Sequence, residues 1–128
     1  MKSDKVIFKN LSYSVVGLCF EAHNELGKYC KEKQYGDALE KKLKEAHIKY
    51  KRELIFPGTR NIIDFLIEDK IILELKAKET INKDDYYQVQ RYLQMLKIKL
   101  GILINFRSQY LRPKRIVRID TELHKKFL

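Results

Sequence analysis

Two apolar runs separated by a short polar stretch make up residues 61–77, which read NIIDFLIEDKIILELKA. Short apolar runs bounded by polar residues are typical of buried β-strands. The intervening Glu68-Asp69-Lys70 fits a three-residue hairpin loop, in which Asp69 would take the left-handed conformation that glycine usually adopts. The stretch therefore predicts an antiparallel hairpin in which Ile67 lies opposite Ile71.

Three charged side chains lie within the otherwise apolar strands of this hairpin. The predicted register places Asp64 directly across from Glu74, with both side chains on one face. Lys76 lies two residues after Glu74 and projects from the same face. Two adjacent carboxylates repel each other, and paired hard oxygen ligands suit Mg²⁺ or Mn²⁺, completed by a backbone carbonyl and waters, with Lys76 facing the bound water. The grouping indicates phosphodiester hydrolysis; a cross-strand ion-pair cluster on a solvated sheet face is the alternative.

The periodicity outside this hairpin changes from helical to extended and back. Apolar spacing and turn signals predict helices and strands in the order ααβββαβ(β), a mixed α/β fold in a single domain, 1–128. The predicted helices are Asp4 to Gly27, Glu32 to Ala46 and, after a cap at 82–85, a helix to about Lys97. The predicted strands outside the hairpin are Ile48 to Phe56, Leu100 to Phe106 and Lys114 to Ile119, followed by a short polar tail.

Composition indicates a basic globular chain. The 128 residues include 27 lysines and arginines against 17 aspartates and glutamates, which gives a net charge of +10. Such a charge favours polyanionic partners, although a solvated basic surface is the alternative. No run approaches the roughly 18 apolar residues of a membrane span, so we expect a soluble, cytoplasmic protein that does not bind membranes. Cys19 and Cys30 have no metal-site spacing and are expected to be reduced thiols.

Residues 107–118 contain five basic side chains and Tyr110. Lysine and arginine in a loop suit contacts with backbone phosphates, and an aromatic ring suits stacking on a base. The alternative is a solvated loop and edge strand, where basic residues discourage aggregation. The candidate nucleic-acid-binding residues in this segment are Arg107, Arg112, Lys114 and Arg115.

A resemblance to a known family rests on the order of these motifs. Asp64, a gap of nine residues, Glu74-Leu75-Lys76 and then a helix with Gln88 and Tyr92 resemble the PD-(D/E)xK nuclease superfamily with its QxxxY helix. The chain is most similar to the small GxxExxY family within it. The segments that carry this narrower resemblance are 17–27, 32–35, 64–76 and 100–106.

The resemblance implies a restriction-endonuclease-like core, with a central mixed sheet flanked by helices. It implies that Asp64 and Glu74 bind the metal, that Glu21 is the first-helix acid, acting directly or through water, and that Lys76 is the catalytic lysine. Gln88 and Tyr92, one turn apart on one helix face, would orient the site or contact a substrate phosphate. Core packing of Tyr92 with an exposed Gln88 amide is the alternative.

The chain departs from the family pattern at two places. Ile63 stands where proline precedes the aspartate, and Tyr29 stands where the GxxExxY motif has its glycine, although Glu32 and Tyr35 of that motif remain. We interpret Glu32 as an acid in the first turn of a helix, where it favours the helix dipole, and Tyr35 as a core aromatic. Neither departure changes a residue of the predicted metal site.

The leading functional hypothesis is a Mg²⁺- or Mn²⁺-dependent nuclease that acts on nucleic acid, on DNA rather than RNA. A noncatalytic nucleic-acid-binding or scaffolding domain that retains the fold is a second hypothesis. A structural protein whose charged residues form an ion-pair network is a third. Because the chain has no separate specificity domain, a homodimer or an unidentified protein partner would supply target choice.

Overall fold

The computed structural model describes residues 6–120 and has the predicted order of elements, including the last strand. The helices are α1 (Lys9–Leu26), α2 (Glu32–Glu45) and α3 (Lys83–Leu96). The strands are β1 (Tyr50–Ile55), β2 (Ile62–Ile67), β3 (Ile71–Lys76), β4 (Leu100–Asn105) and β5 (Lys114–Val117).

The first helix begins later than its apolar spacing predicts. Phe8 adopts a left-handed conformation with φ 52° and ψ 48°, so a right-handed helix cannot continue through it toward Asp4. Asp4 itself lies outside the described residues, as does the predicted polar tail beyond residue 120. The other predicted elements begin and end within about two residues of their observed bounds.

The five strands form one mixed sheet in the order β1-β2-β3-β4-β5. Neighbouring strands are antiparallel except β3 and β4, which are parallel and are connected by α3 as the crossover. β4 is buried along its whole length, which agrees with its nearly continuous apolar sequence and its position inside the sheet. β1 lies at the sheet edge and alternates between half-buried and exposed residues.

The central hairpin has the predicted register, with Ile67 opposite Ile71. Lys70 N–H donates to the Ile67 carbonyl over 2.8 Å and closes the turn. Asp69 is left-handed as predicted, with φ 56°, and Glu68 is left-handed as well, with φ 54°. Two consecutive positive φ angles are typical of the tight turns whose twist matches that of the flanking strands.

Each face of the sheet is covered by apolar helix surface. α1 and α2 pack on one face, where Cys19, Tyr35 and Leu39 are among the fully buried residues, and α3 packs on the other through Val89 and Leu93. Burial raises the pKa of the Cys19 thiol to about 12, and both cysteines are free thiols. No helix within residues 6–120 is long and apolar enough to cross a membrane.

One end of the sheet gathers polar side chains from several elements. The start of β2 and the ends of β3 and β4 lie here, because Lys76 pairs with Asn105 in the parallel ladder. The N-termini of two helices reach the same end: Glu32 of α2 accepts a hydrogen bond from Ala77 N–H over 3.3 Å, and Asp85 of α3 binds Lys78. We call this region the polar end of the sheet.

Candidate active site

Asp64 and Glu74 meet where the β2–β3 ladder stops. The last paired residues before this point are Phe65 and Leu73. Beyond them the backbone N–H groups donate to side-chain carboxylates and not to the neighbouring strand. Asp64 N–H donates to Glu74 Oε2 over 2.8 Å, and Leu75 N–H donates to Asp64 Oδ2 over 2.8 Å. The two acidic side chains are therefore brought together, as the predicted register requires.

Burial makes the ionised form of this pair unfavourable. Glu74 is 3% exposed, and burial followed by the neighbouring Asp64 charge raises the pKa of Glu74 well above its usual range. Burial, together with the Glu32 charge, also raises the pKa of Asp64 against the opposing effects of Leu75 N–H and the Lys76 charge. A bound cation would favour ionisation of both groups.

Lys76 lies beside this pair and is held by α3. Its Nζ donates to Gln88 Oε1 over 3.0 Å and lies 3.8 Å from Asp85 Oδ1. Asp85 is buried and also pairs with Lys78 at 2.7 Å. Burial acts to raise the pKa of Asp85, but its hydrogen bonds from Lys78 and Asn82 N–H lower it overall, so Asp85 stays a fixed negative charge.

The two α3 residues of the predicted QxxxY motif have different surroundings. Gln88 is half-buried and contacts Lys76 directly. Tyr92 is 2% exposed within the α3 core, and its hydroxyl donates to the Ile62 carbonyl over 3.5 Å. Burial, followed by the charges of Glu74 and Asp64, raises the pKa of Tyr92 to about 12. The burial of Tyr92 agrees with its predicted alternative of core packing and leaves almost no surface for the predicted contact with nucleic acid, whereas Gln88 contacts Lys76 and is not a free exposed amide.

The structure gives Glu21 and Glu32 different surroundings. Glu21 has a 60% exposed side chain that pairs with Lys42 at 3.5 Å, and within residues 6–120 it makes no hydrogen bond or ion pair with Asp64 or Glu74. Glu32, in contrast, raises the pKa of both site carboxyls through its charge. Sequence reasoning missed Glu32 as a site residue; its place in the GxxExxY motif was the available signal.

The basic segment after β4 lies partly at the polar end of the sheet. Lys114 pairs with Leu103, which in turn pairs with Glu74, and both Lys114 and Arg112 are exposed. Arg107 is half-buried and its Nε donates to the Lys28 carbonyl over 2.8 Å. Arg115 instead contacts α1 and the residues just before it. Its guanidinium donates to the Ile7 carbonyl over 2.7 Å and to the Ser12 hydroxyl over 2.8 Å. These contacts favour a structural role for Arg115.

The carboxyl pair fits a hard divalent cation that keeps several of its waters. Within the described part of the chain, no group of three or more His, Cys, Asp or Glu side chains is close enough to hold a metal ion. Mg²⁺ commonly binds through one or two carboxylates plus waters, so the pair meets this minimum. A cavity of about 230 Å³ lined by Asp64, Glu32 and Glu53 adjoins the pair and has room for water.

Comparison with known proteins agrees with this architecture. The family model described as the PD-(D/E)XK nuclease superfamily matches residues 9–119, which include every residue of the candidate site. No curated protein matches the chain. The narrower GxxExxY resemblance stays a prediction. Because the matched segment covers most of the sequence, the chain belongs to the PD-(D/E)XK nuclease superfamily, whose members are generally hydrolases that use divalent metals.

Proposed function

We propose that this protein is a Mg²⁺- or Mn²⁺-dependent nuclease that hydrolyses phosphodiester bonds, in DNA rather than RNA. The observation that carries the proposal is the pair of the half-buried Asp64 and the buried Glu74, which exchange hydrogen bonds across the two strands, with Lys76 beside it. Two neighbouring carboxyls whose pKa values are raised need a specific partner when both are ionised, and a bound cation would supply it.

Each residue has a distinct role in this proposal. Asp64 and Glu74 would hold the metal, and Glu32 would contact it through water from the start of α2. A divalent cation bound there polarises a phosphoryl oxygen and lowers the pKa of its water. Lys76, held by Gln88 over 3.0 Å, stabilises negative charge on the reacting phosphate and assists water attack.

Calorimetric titration of Mn²⁺ into the wild-type protein, Asp64→Asn and Glu74→Gln tests the metal site. The same proteins are then assayed for cleavage of single- and double-stranded DNA and RNA oligonucleotides. We expect each substitution to abolish Mn²⁺ binding and to reduce cleavage by at least about 100-fold, because the metal loses a direct ligand.

Glu21→Gln is the matched control, since it removes the same charge from the exposed α1 residue that pairs with Lys42. We expect Glu21→Gln to keep wild-type activity and Glu32→Gln to lose about tenfold, as a ligand acting through water would. The reverse ranking of these two variants would contradict the assignment of Glu32.

One observation favours a noncatalytic nucleic-acid-binding domain as the second candidate. The net charge of +10 favours polyanions, while residues 6–120 offer two adjoining acidic ligands rather than a cluster of three. A wild-type protein that binds oligonucleotides but neither binds Mn²⁺ nor cleaves any substrate would establish this candidate and refute the nuclease.

A further inference from the structure

Tyr29 presents an exposed aromatic ring with two cations close to it. It lies in the loop between α1 and α2 and is 79% exposed. Lys28 Nζ lies 5.4 Å from the ring centroid, and the guanidinium carbon of Arg107 lies 5.9 Å from it. A ring this exposed adds little to the apolar core, so packing does not account for tyrosine at this position.

The loop that carries Tyr29 is fixed on both sides. The buried Tyr35 hydroxyl donates to the Gly27 carbonyl and accepts from Cys30 N–H, so one side chain ties both ends of the loop. Arg107 Nε donates to the Lys28 carbonyl over 2.8 Å, which attaches the loop to the segment after β4. The ring and its two cations are therefore presented on a preorganised surface, which lowers the entropic cost of binding.

This surface adjoins the candidate active site. Tyr29 precedes Glu32 by three residues, which span at most about 11 Å. Asn105 Oδ1 accepts from Arg107 N–H over 3.2 Å and from Lys78 N–H over 3.1 Å, so the basic side of the ring is connected to the strand end that carries Lys76. At about 3.4 Å per nucleotide of a stacked strand, this maximum backbone span between Tyr29 and Glu32 corresponds to about three nucleotides.

We propose that Tyr29 stacks on an unpaired base of a single-stranded nucleic acid, while Lys28 and Arg107 bind the phosphates on either side. Stacking on an aromatic ring tolerates any base sequence, and flanking cations track the backbone. Bases within a duplex are already stacked and hydrogen-bonded, so the ring selects substrates with a single-stranded segment beside the scissile bond. The inference rests on the proposed nuclease function and specifies its substrate class.

Fluorescence anisotropy in EDTA separates binding from cleavage. The probes are a labelled 16-nucleotide oligothymidylate, the matching oligouridylate and a 16-base-pair DNA duplex. We expect Tyr29→Ala to weaken binding of the single strands about tenfold and to leave duplex binding within twofold, and Tyr29→Phe to bind like the wild type. Tyr13→Ala is the matched control, because Tyr13 is 82% exposed on α1. The DNA and RNA arms distinguish the two kinds of strand.

A second readout reports stacking itself. The chain contains no tryptophan, so Tyr29→Trp introduces a single fluorophore. We expect single strands to quench its emission and the duplex to leave it unchanged, with no quenching in Tyr13→Trp. Equal weakening of single-strand and duplex binding by Tyr29→Ala, or unquenched Tyr29→Trp, would overturn the proposal. A wild-type protein that cleaves only duplex would also overturn the stacking proposal, although the proposed nuclease function would remain. Quenching of Tyr29→Trp by single strands without any cleavage would support stacking and contradict the nuclease function.

Discussion

At the residue scale, Asp64 and Glu74 have two opposite effects on stability: their hydrogen bonds stabilise the fold, and their ionisation destabilises it. Each carboxyl accepts a backbone N–H over 2.8 Å at a point where the strands no longer pair. These bonds satisfy donors that would otherwise be lost from the ladder. Ionisation of both groups is unfavourable, because loss of solvent raises the pKa of the half-buried Asp64 and of the buried Glu74, and the Asp64 charge raises the pKa of Glu74 further. The metal-free site should therefore destabilise the fold near neutral pH.

We expect Glu74→Gln to stabilise the metal-free protein, by about 1–3 kcal/mol at pH 7. The glutamine oxygen can still accept from Asp64 N–H, and its amide can donate to the Asp64 carboxyl. Because the folded-state pKa of each acid is raised, the folded protein binds protons more tightly, and its free energy of unfolding falls as pH rises from about 4. The advantage of the variant should thus be small at pH 4 and grow toward pH 7.

Urea unfolding in EDTA at pH 4, 5, 6 and 7 measures this difference. Glu21→Gln serves as the control, since it removes an exposed carboxylate. Addition of Mn²⁺ at pH 7 should raise the free energy of unfolding of the wild type and leave that of Glu74→Gln unchanged. A variant that is less stable than the metal-free wild type at pH 7 would contradict the account.

The sequence was sufficient to predict the contact of Asp64 with Glu74 but not the place of Glu32. Hairpin register follows from local alternation and loop length, so two residues ten apart could be matched across strands. Glu32 reaches the site only because the start of α2 docks against Ala77, 45 residues later. Helical periodicity describes which face of α2 is apolar, but it carries no information about what lies beyond its first turn.

At the element scale, the contact between α3 and β4 depends on a glycine. A Cβ at Gly101 would lie 2.6 Å from Val89 Cγ1 and 3.6 Å from Leu93 Cδ2. Both helix residues are fully buried, so neither has space to move away. The close approach matters for the site because α3 carries Gln88 and Asp85, which hold Lys76.

We expect Gly101→Ala to destabilise the protein by about 1–3 kcal/mol through overpacking. Guanidinium unfolding measures the change. Val89→Ala removes the nearest methyl group, so the double variant Gly101→Ala/Val89→Ala should be more stable than the sum of the two single changes predicts. Strict additivity in this cycle would show that the contact at Gly101 does not limit the packing of α3.

Most elements were predictable from periodicity, and the exceptions are backbone conformations. The side chain of Phe8 continues the apolar pattern of α1, but its left-handed φ of 52° means that the helix begins only at Lys9. Glu53, within β1, has a φ of 53°. It lies at the level of Asp64, between the Arg52–Phe65 and Leu54–Ile63 pairs of β1 with β2. Such conformations in residues other than glycine depend on tertiary contacts, so local pattern does not indicate them.

At the scale of the whole molecule, the net charge of +10 favours a polyanionic partner, and the positions of the basic residues indicate where it would bind. Besides Lys76 and Lys78 at the polar end of the sheet, the α1–α2 loop and the segment after β4 contribute four cations, Lys28, Arg107, Arg112 and Lys114. The carboxyl pair of Asp64 and Glu74 lies at the same end of the sheet, with Glu74 buried. A nucleic-acid strand can therefore be attracted by the surroundings while its approach to the carboxyl pair depends on a bound cation.

Salt dependence of binding measures how many of these cations contact phosphates. Each phosphate contact on a single strand contributes about −0.7 to the slope of log K against log salt concentration, so four contacts predict about −2.8. We expect Arg112→Gln to make the slope less steep by about 0.7. Lys97→Gln is the control: Lys97 ends α3, about 18 Å along the helix from Asp85, and should leave the slope unchanged. Equal slopes for Arg112→Gln and the wild type would place the strand away from the β4–β5 loop, and would favour a path along Tyr29 and α2 instead.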